Sequence, residues 1–143
     1  MKVVIAGALG ECVHVAGVSS FLRLAESAGW QTVFLGPAVS IEKFLEAIQS
    51  ARADPDVEQI LVGVSYRLTP ETGERLLGEF AEAASDLHDS GVRFAFGGTP
   101  PVSARARDLG FFERTFDGSQ PAEAVLAYLK GQVHEPEAET DYA

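Results

Sequence analysis

The sequence predicts an α/β domain built on a doubly wound, five-stranded parallel sheet. Three observations predict it: five short apolar runs, helix-length amphipathic segments that separate them, and glycine or proline near most of the junctions. Strands that alternate with helices need right-handed crossovers, which cover both faces of a parallel sheet. We therefore expect the flavodoxin-like (Rossmann-like) class, with strand order 2-1-3-4-5.

The strands are predicted from the apolar runs. They are expected at residues 2–7, 31–35, 59–65, 92–96 and 111–116, the last as a short edge strand. The first run is almost continuously apolar, which is typical of a strand covered on both faces.

The helices are predicted from capping residues and 3.6-residue spacing. They are expected at residues 14–28, from Ser40 onward, from Thr69 to about 90, at 102–109 and from Pro121 to about 131. Thr69-Pro70-Glu71 supplies an N-cap, a proline at the first helical position and an acid that favours the helix dipole. The Gly-Gly-Thr-Pro-Pro segment at 97–101 is expected to be a turn.

Length and hydropathy indicate one domain. The chain has 143 residues, of which 46% are hydrophobic, and this suits a single core. The domain is expected at residues 1–131. Residues 132–143 are acidic and lack periodicity, so we expect a disordered tail or a linker to a further domain.

Charge and cysteine content exclude several classes of function. Against 21 acidic residues stand 11 basic ones, and the net charge of −10 would repel nucleic acid. No apolar run has membrane length and no signal peptide is evident, so a cytoplasmic protein without membrane contact is expected. The single cysteine, Cys12, excludes an internal disulfide, and zinc spacings are absent.

Candidate functional residues lie at the predicted carboxyl ends of strands one and three, where this sheet order places its switch point. His14 stands in the loop after strand one, and Ser65 ends strand three. Ligands bind at that edge because helix N-termini and free backbone N–H groups converge there. His14 is equally compatible with a residue that only caps the first helix. The glycines near the strand ends would admit a bulky ligand, although glycine is also common in such turns.

Familiar ligands of this fold can be tested by the residues that they need. A phospho-acceptor site needs carboxylates at the ends of strands one and three, where the chain has Gly7-Ala8 and Val64-Ser65. A dinucleotide site needs G-x-G-x-x-G and an acid after strand two, and neither occurs. A P-loop and a Ser/Thr-rich FMN loop are also absent.

The remaining motifs resemble those of the cobalamin-binding domain shared by methylmalonyl-CoA mutase, the small subunit of glutamate mutase and cobalamin-dependent methionine synthase. The family pattern Asp-x-His-x-x-Gly, then Ser-x-Leu, then Gly-Gly is met by residues 12–17, by Ser65-Tyr66-Arg67 and by Gly97-Gly98. Residues 116–119, Phe-Asp-Gly-Ser, stand where the family has a glycine-rich turn. The resemblance covers residues 2 to about 130.

This resemblance implies a bound cobalamin, as adenosylcobalamin or methylcobalamin, whose lower cobalt ligand is His14. Imidazole is a suitable cobalt ligand. Ser65 would bond the buried base of the nucleotide tail, Gly97 and Gly98 would leave room for that tail, and Gly17 would let the first helix pack over it. The cofactor-binding residues implied are Cys12, Val13, His14, Val15, Ala16, Gly17, Ser65, Arg67, Leu68, Gly97, Gly98, Thr99, Gly118 and Ser119.

The resemblance also implies a partner: the catalytic subunit or domain of a B12-dependent mutase or methyltransferase, with the chain not catalytic alone. A corrinoid sensor and a flavodoxin-like interaction module without cofactor are the alternatives. A Cys-His hydrolase that uses Cys12 and His14 is a more distant one.

Two residues depart from the family pattern. Cys12 replaces the Asp that fixes the tautomer of the ligand histidine, and such a partner contributes ~10- to 100-fold to metal affinity or activity. Arg67 replaces the Leu of Ser-x-Leu, where it would reach the phosphate or the corrin amides, or point to solvent.

Overall fold

The computed structural model describes residues 1–132, which form one parallel sheet with helices on both faces. The predicted tail from residue 133 onward lies outside the described residues. The strands are β1 (Lys2–Leu9), β2 (Gln31–Val39), β3 (Gln59–Tyr66), β4 (Arg93–Gly98) and β5 (Arg114–Phe116). The helices are α1 (Ala16–Ser27), α2 (Ile41–Arg52), α3 (Pro70–Ala83), α4 (Ser85–Asp89), α5 (Pro100–Leu109) and α6 (Ala122–Leu129).

The strand order is β2-β1-β3-β4-β5 and every pairing is parallel, which confirms the predicted fold class. β1 and β3 pair in continuous register from Lys2 opposite Gln59 to Ala8 opposite Ser65. Their carboxyl ends therefore lie side by side at the centre of the sheet, which is the switch point of this topology.

The core is divided between the two faces of the sheet. The larger cluster joins one face to α2, α3 and α5, and includes Phe44, Phe80 and Phe96. The smaller cluster joins the other face to α1 and α6, and includes Leu22 and Leu129. Helices on both faces explain why the inner strands are apolar without alternation.

Several predicted boundaries were wrong. Gly97 and Gly98 belong to β4 rather than to a turn, and Pro100 is already in the first turn of α5, where its missing N–H costs no hydrogen bond. The helix expected from Thr69 to residue 90 is two helices that join at Ala84.

The loop that carries His14 is longer than predicted. α1 begins at Ala16 rather than at His14, and Val15 occupies its N-cap position. His14 therefore does not cap this helix.

β2 also departs from its prediction, because it continues past Leu35 to Val39. Its register against β1 shifts after Ala6 and again after Gly7. Ala38 is the one non-glycine residue of the described chain with positive φ, at 53°. This irregular end of β2 contacts the His14 loop, since the Ala38 N–H donates to the Cys12 carbonyl at 2.9 Å and the Gly10 N–H donates to the Val39 carbonyl at 2.8 Å.

The helices of residues 1–132 are all too short or too polar to cross a bilayer.

Arg93, Glu113 and Tyr128 form a polar network near the amino end of β4. The Arg93 guanidinium donates to Glu113 from Nε and Nη2, the latter at 2.7 Å, and the Tyr128 hydroxyl donates to the same carboxylate. Burial disfavours the charged form of Glu113, but these hydrogen bonds outweigh it and hold the pKa of Glu113 below its usual range. Burial and the adjacent Glu113 carboxylate raise the pKa of Tyr128.

We expect Glu113→Gln to lower the free energy of unfolding at neutral pH, because it removes the ion pair with Arg93. The loss should be only about 1 kcal/mol, since these side chains are 32% and 36% exposed and solvent screens the pair. The folded pKa of Glu113 is depressed, so its contribution is present above the unfolded pKa and is lost as pH falls through the folded pKa. Urea unfolding of both proteins across this acidic range should show their stabilities converging. A difference that stays constant with pH would contradict the prediction.

Candidate functional site

A pocket of about 350 Å³ opens at the carboxyl edge of the sheet, between the sheet and helices α1 and α6. Its volume lies at the lower end of the range for small-molecule sites. The lining residues come from the inner strands, α1, β5 and the turn before α6: Ala6, Gly17, Val18, Ser20, Phe21, Leu24, Gly63, Val64, Ser65, Arg67, Ala95, Phe96, Gly97, Gly98, Phe116, Gly118, Gln120, Ala122 and Val125.

The sheet side of the pocket, here called the floor, is made of small residues in register. Ala6, Gly63 and Ala95 stand opposite one another on β1, β3 and β4, and Ser65 stands opposite Gly97 one row further out. Deeper on the same face the cluster under α1 contains Val4 and Leu61. Side-chain size thus decreases toward the carboxyl edge, and the space left between sheet and helices is the pocket.

Two adjacent glycines of β4 have different roles. A Cβ atom added to Gly97 would meet no atom within 4 Å, so Gly97 borders open space. A Cβ atom added to Gly98 would lie 2.4 Å from the Tyr66 carbonyl oxygen and 2.9 Å from the Phe96 ring. Gly97 therefore leaves room in the pocket, whereas Gly98 is required by packing on the opposite face.

The far wall of the pocket is fixed by β5 and the turn that follows it. The buried Ser103 hydroxyl donates to the Phe116 carbonyl at 3.0 Å and thereby holds β5. Asp117 accepts from the Ser119 hydroxyl at 2.6 Å and from the Ser119 N–H at 2.9 Å, and these bonds lower the pKa of Asp117. Gly118, at φ 94°, makes this turn possible.

The His14 loop lies beside this pocket at the same edge. His14 and Val13 are exposed, and within residues 1–132 no hydrogen bond occupies the His14 imidazole. Both nitrogens are therefore accessible to a ligand. Across that same part of the chain, no three His, Cys, Asp or Glu side chains converge as a metal site.

Cys12 is separated from this accessible surface. It is fully buried and belongs to the core cluster on the α2 and α3 face of the sheet. A small buried hydrophobe is a common state of free cysteine. An aspartate at this position would place a carboxylate in an apolar core, at a cost of several kcal/mol unless it is paired.

The structure brings together some of the residues that the sequence predicts and separates others. Six line the pocket: Gly17, Ser65, Arg67, Gly97, Gly98 and Gly118. Val13, His14, Val15 and Ala16 lie in the adjacent loop and at the start of α1, and Leu68 is exposed beyond β3. Thr99 is the N-cap residue of α5, and the Ser119 side chain is used by its own turn.

Sequence reasoning missed the helical side of the pocket. Phe21 and Leu24 of α1, Gln120 and Val125 line it, although none was singled out. Phe21 and Leu24 are on the apolar side of an amphipathic helix, where the Phe21 ring packs over Gly63 and beside the Phe116 ring. An apolar helix side opposite strand ends that carry small residues was the signal from which this part of the pocket could have been predicted.

These features define the class of protein: a parallel α/β domain with a small-molecule pocket at its switch point. Comparison with known proteins then identifies the relatives. No protein-family model matches the chain. The chain is 29% identical over 136 residues to the glutamate mutase sigma subunit 2 of Haloarcula marismortui, a match that covers 93% of this chain and 88% of that subunit.

Solved corrinoid and cobalamin proteins share the fold. The monomethylamine corrinoid protein of Methanosarcina barkeri matches with a TM-score of 0.68 and 22% identity, over 91% of this chain and 57% of that one. A cobalamin-binding protein of Desulfitobacterium hafniense matches with a TM-score of 0.68 and 18% identity, over 87% and 55% of the two chains.

The methanol:cobalamin methyltransferase complex of Methanosarcina barkeri matches with a TM-score of 0.65 and 18% identity, over 91% and 47% of the two chains. The chain thus spans about half the length of these solved chains. The predicted resemblance to the cobalamin-binding domain family is confirmed by these matches in sequence and fold.

The two glycines of β4 give a matched test of the pocket geometry. We expect Gly97→Ala to keep or slightly raise the free energy of unfolding, because its Cβ enters open space. Gly98→Ala should lower it by ~1–3 kcal/mol or more, because its Cβ would overlap a backbone oxygen. Thermal and urea unfolding measure both. Equal stability of the two variants would show that the close approach at Gly98 does not exist.

Proposed function

We propose that the chain is a cobalamin-binding module that carries a corrinoid and presents it to a catalytic partner of the mutase or methyltransferase type. The observation that carries the proposal is the pocket floored by Ala6, Gly63, Ala95, Ser65 and Gly97 beside an exposed histidine. The glutamate mutase subunit similarity adds the expectation of a mutase partner.

The pocket suits the nucleotide tail of cobalamin rather than its macrocycle. About 350 Å³ accommodates a bicyclic base with part of its sugar, and most of the lining is apolar or glycine. The half-buried Ser65 hydroxyl lies on the floor as a hydrogen-bonding group for the base. Gly97 leaves the space that a side chain would otherwise occupy.

His14 would supply the lower ligand of cobalt. A bound corrinoid supplies the organometallic chemistry, and the protein contributes ligation and shielding. The His14 imidazole is exposed at the carboxyl edge of the sheet, whereas the buried Cys12 side chain does not reach that surface. The second nitrogen of His14 would therefore face water, a backbone carbonyl or Glu11, in place of the carboxylate that usually orients a ligand histidine.

Reaction with a substrate would require the partner. Arg67 is the one ionisable side chain among the residues that line the pocket. General acid–base chemistry needs a positioned proton donor or acceptor near neutral pH, and arginine does not titrate there. The catalytic groups would therefore be supplied by another subunit or domain.

Corrinoid binding can be tested with a variant that fills the pocket. We expect the purified protein to retain hydroxocobalamin near one equivalent in equilibrium dialysis. Gly97→Leu should weaken binding by at least about tenfold, because the leucine would occupy the tail position. Gly78→Leu on α3 is the matched control: its Cβ also meets no atom within 4 Å, but it does not line the pocket. Absence of retention by the unmodified protein would refute the function.

The role of His14 can be tested by spectroscopy. We expect His14→Ala to change the visible spectrum of the bound cobalamin and to weaken binding without abolishing it, because the pocket remains. Added imidazole should restore the spectrum. In the unmodified protein, ligation should be lost on acidification, since a protonated imidazole cannot bind cobalt. His88→Gln, on α4, is the control. An unchanged spectrum in His14→Ala would exclude His14 as the ligand.

A further inference from the structure

Arg67 lies where its side chain can contact one end of a ligand in the pocket. Tyr66 ends β3, is 1% exposed and pairs with Gly98 of β4, so the backbone directly before Arg67 is held by the sheet. Arg67 itself is exposed and lines the pocket, which puts its guanidinium at the mouth rather than at the floor.

The guanidinium of Arg67 has no anionic partner among residues 1–132. Three other arginines do have one: Arg75 pairs with Glu79, Arg93 with Glu113 and Arg105 with Glu74. Within residues 1–132 Arg23, Arg52, Arg107 and Arg114 are, like Arg67, without an ion pair. With 21 acidic residues in a chain of net charge −10, a surface arginine has many possible partners. What distinguishes Arg67 from the other unpaired arginines is its position beside a pocket whose remaining lining residues are uncharged.

This distribution defines the ligand that the pocket would take: an uncharged part that fills the apolar space, followed by one anionic group at the mouth. Guanidinium groups bind phosphate through paired, charge-assisted hydrogen bonds. Cobalamin carries one phosphodiester, which links its nucleotide base and sugar to the corrin ring. Its base would lie inside the pocket, so the phosphodiester would emerge at the mouth.

We propose that Arg67 binds the phosphodiester of the cobalamin nucleotide tail at the mouth of the pocket. This inference rests on the proposed function and deepens it, because it assigns a positive group to the one anionic group of the ligand. The attraction also offsets the repulsion that the acidic chain would exert on that phosphate.

The experiment compares cobalamin with cobinamide, a corrinoid that lacks the base, the sugar and the phosphodiester. Dissociation constants are measured by absorbance titration for the unmodified protein, Arg67→Leu, Arg67→Lys and the control Arg52→Leu, which removes an exposed arginine at the end of α2. We expect Arg67→Leu to weaken cobalamin binding about 3- to 10-fold at low ionic strength, and less at high ionic strength. Arg67→Lys should restore part of the affinity, and Arg52→Leu should have no effect.

Cobinamide affinity should be the same in the unmodified protein and in Arg67→Leu. If both corrinoids are weakened equally, Arg67 acts on the macrocycle or on the fold, and the proposal is overturned. If neither is weakened, the phosphodiester has no contact with Arg67 and the proposal is again wrong. Failure of the unmodified protein to bind cobalamin is a separate result, which would overturn the proposed function and this inference together.

Discussion

The pocket depends on a difference in side-chain size between the two faces of the same three strands. On the α2 and α3 face, Val62, Val64 and Phe96 fill the core up to the carboxyl edge. On the α1 and α6 face, the alternate positions carry Gly63, Ser65 and Gly97. Because successive residues of a strand point to opposite faces, one strand can supply a packed core and an open floor together.

The Trp30 and Arg93 contacts lie at one end of this sheet and the pocket at the other. Near the amino end, Trp30 donates to the Leu129 carbonyl at 2.8 Å, and the Arg93–Glu113–Tyr128 network lies beside the start of β4. These contacts fasten α6 to the strands. The carboxyl end has an unpaired arginine, an unoccupied imidazole and a half-buried serine among the described residues. The Arg67 and His14 side chains are exposed to water, so their lack of protein partners costs little stability.

The sequence was sufficient for the sheet but only partly for the site. Alternation of strands and helices predicted the doubly wound class, for which 2-1-3-4-5 is a common order of five strands. The pairing of Ser65 with Gly97 was not predicted, because Gly97 was expected in a turn. The placement of Gly97 and Gly98 was wrong because two glycines before a proline pair favour a turn locally, whereas pairing with β3 extends the strand to Gly98. Burial of Cys12 agrees with the usual state of a free cysteine, but the face of the sheet that it packs on could not be predicted, because an irregular loop has no fixed period from which to assign a face. The pocket residues contributed by α1 and α6 could not be predicted without knowing how these helices pack against the small residues of the floor.

The irregular end of β2, which the sequence did not predict, contacts the loop that carries His14. Two register shifts between β1 and β2 displace residues 36–39 from regular pairing, and Ala38 adopts a φ of 53° that is unfavourable for a residue with a Cβ atom. In that conformation the Ala38 N–H reaches the Cys12 carbonyl, and the Cys12 side chain turns into the core. The peptide two residues before His14 is therefore fixed by both its carbonyl and its side chain. The buried Cys12 side chain thus holds the loop against the core, while His14 stays exposed. Where the domain family that the sequence resembles has an aspartate, this chain has a thiol that packs in the core below the loop.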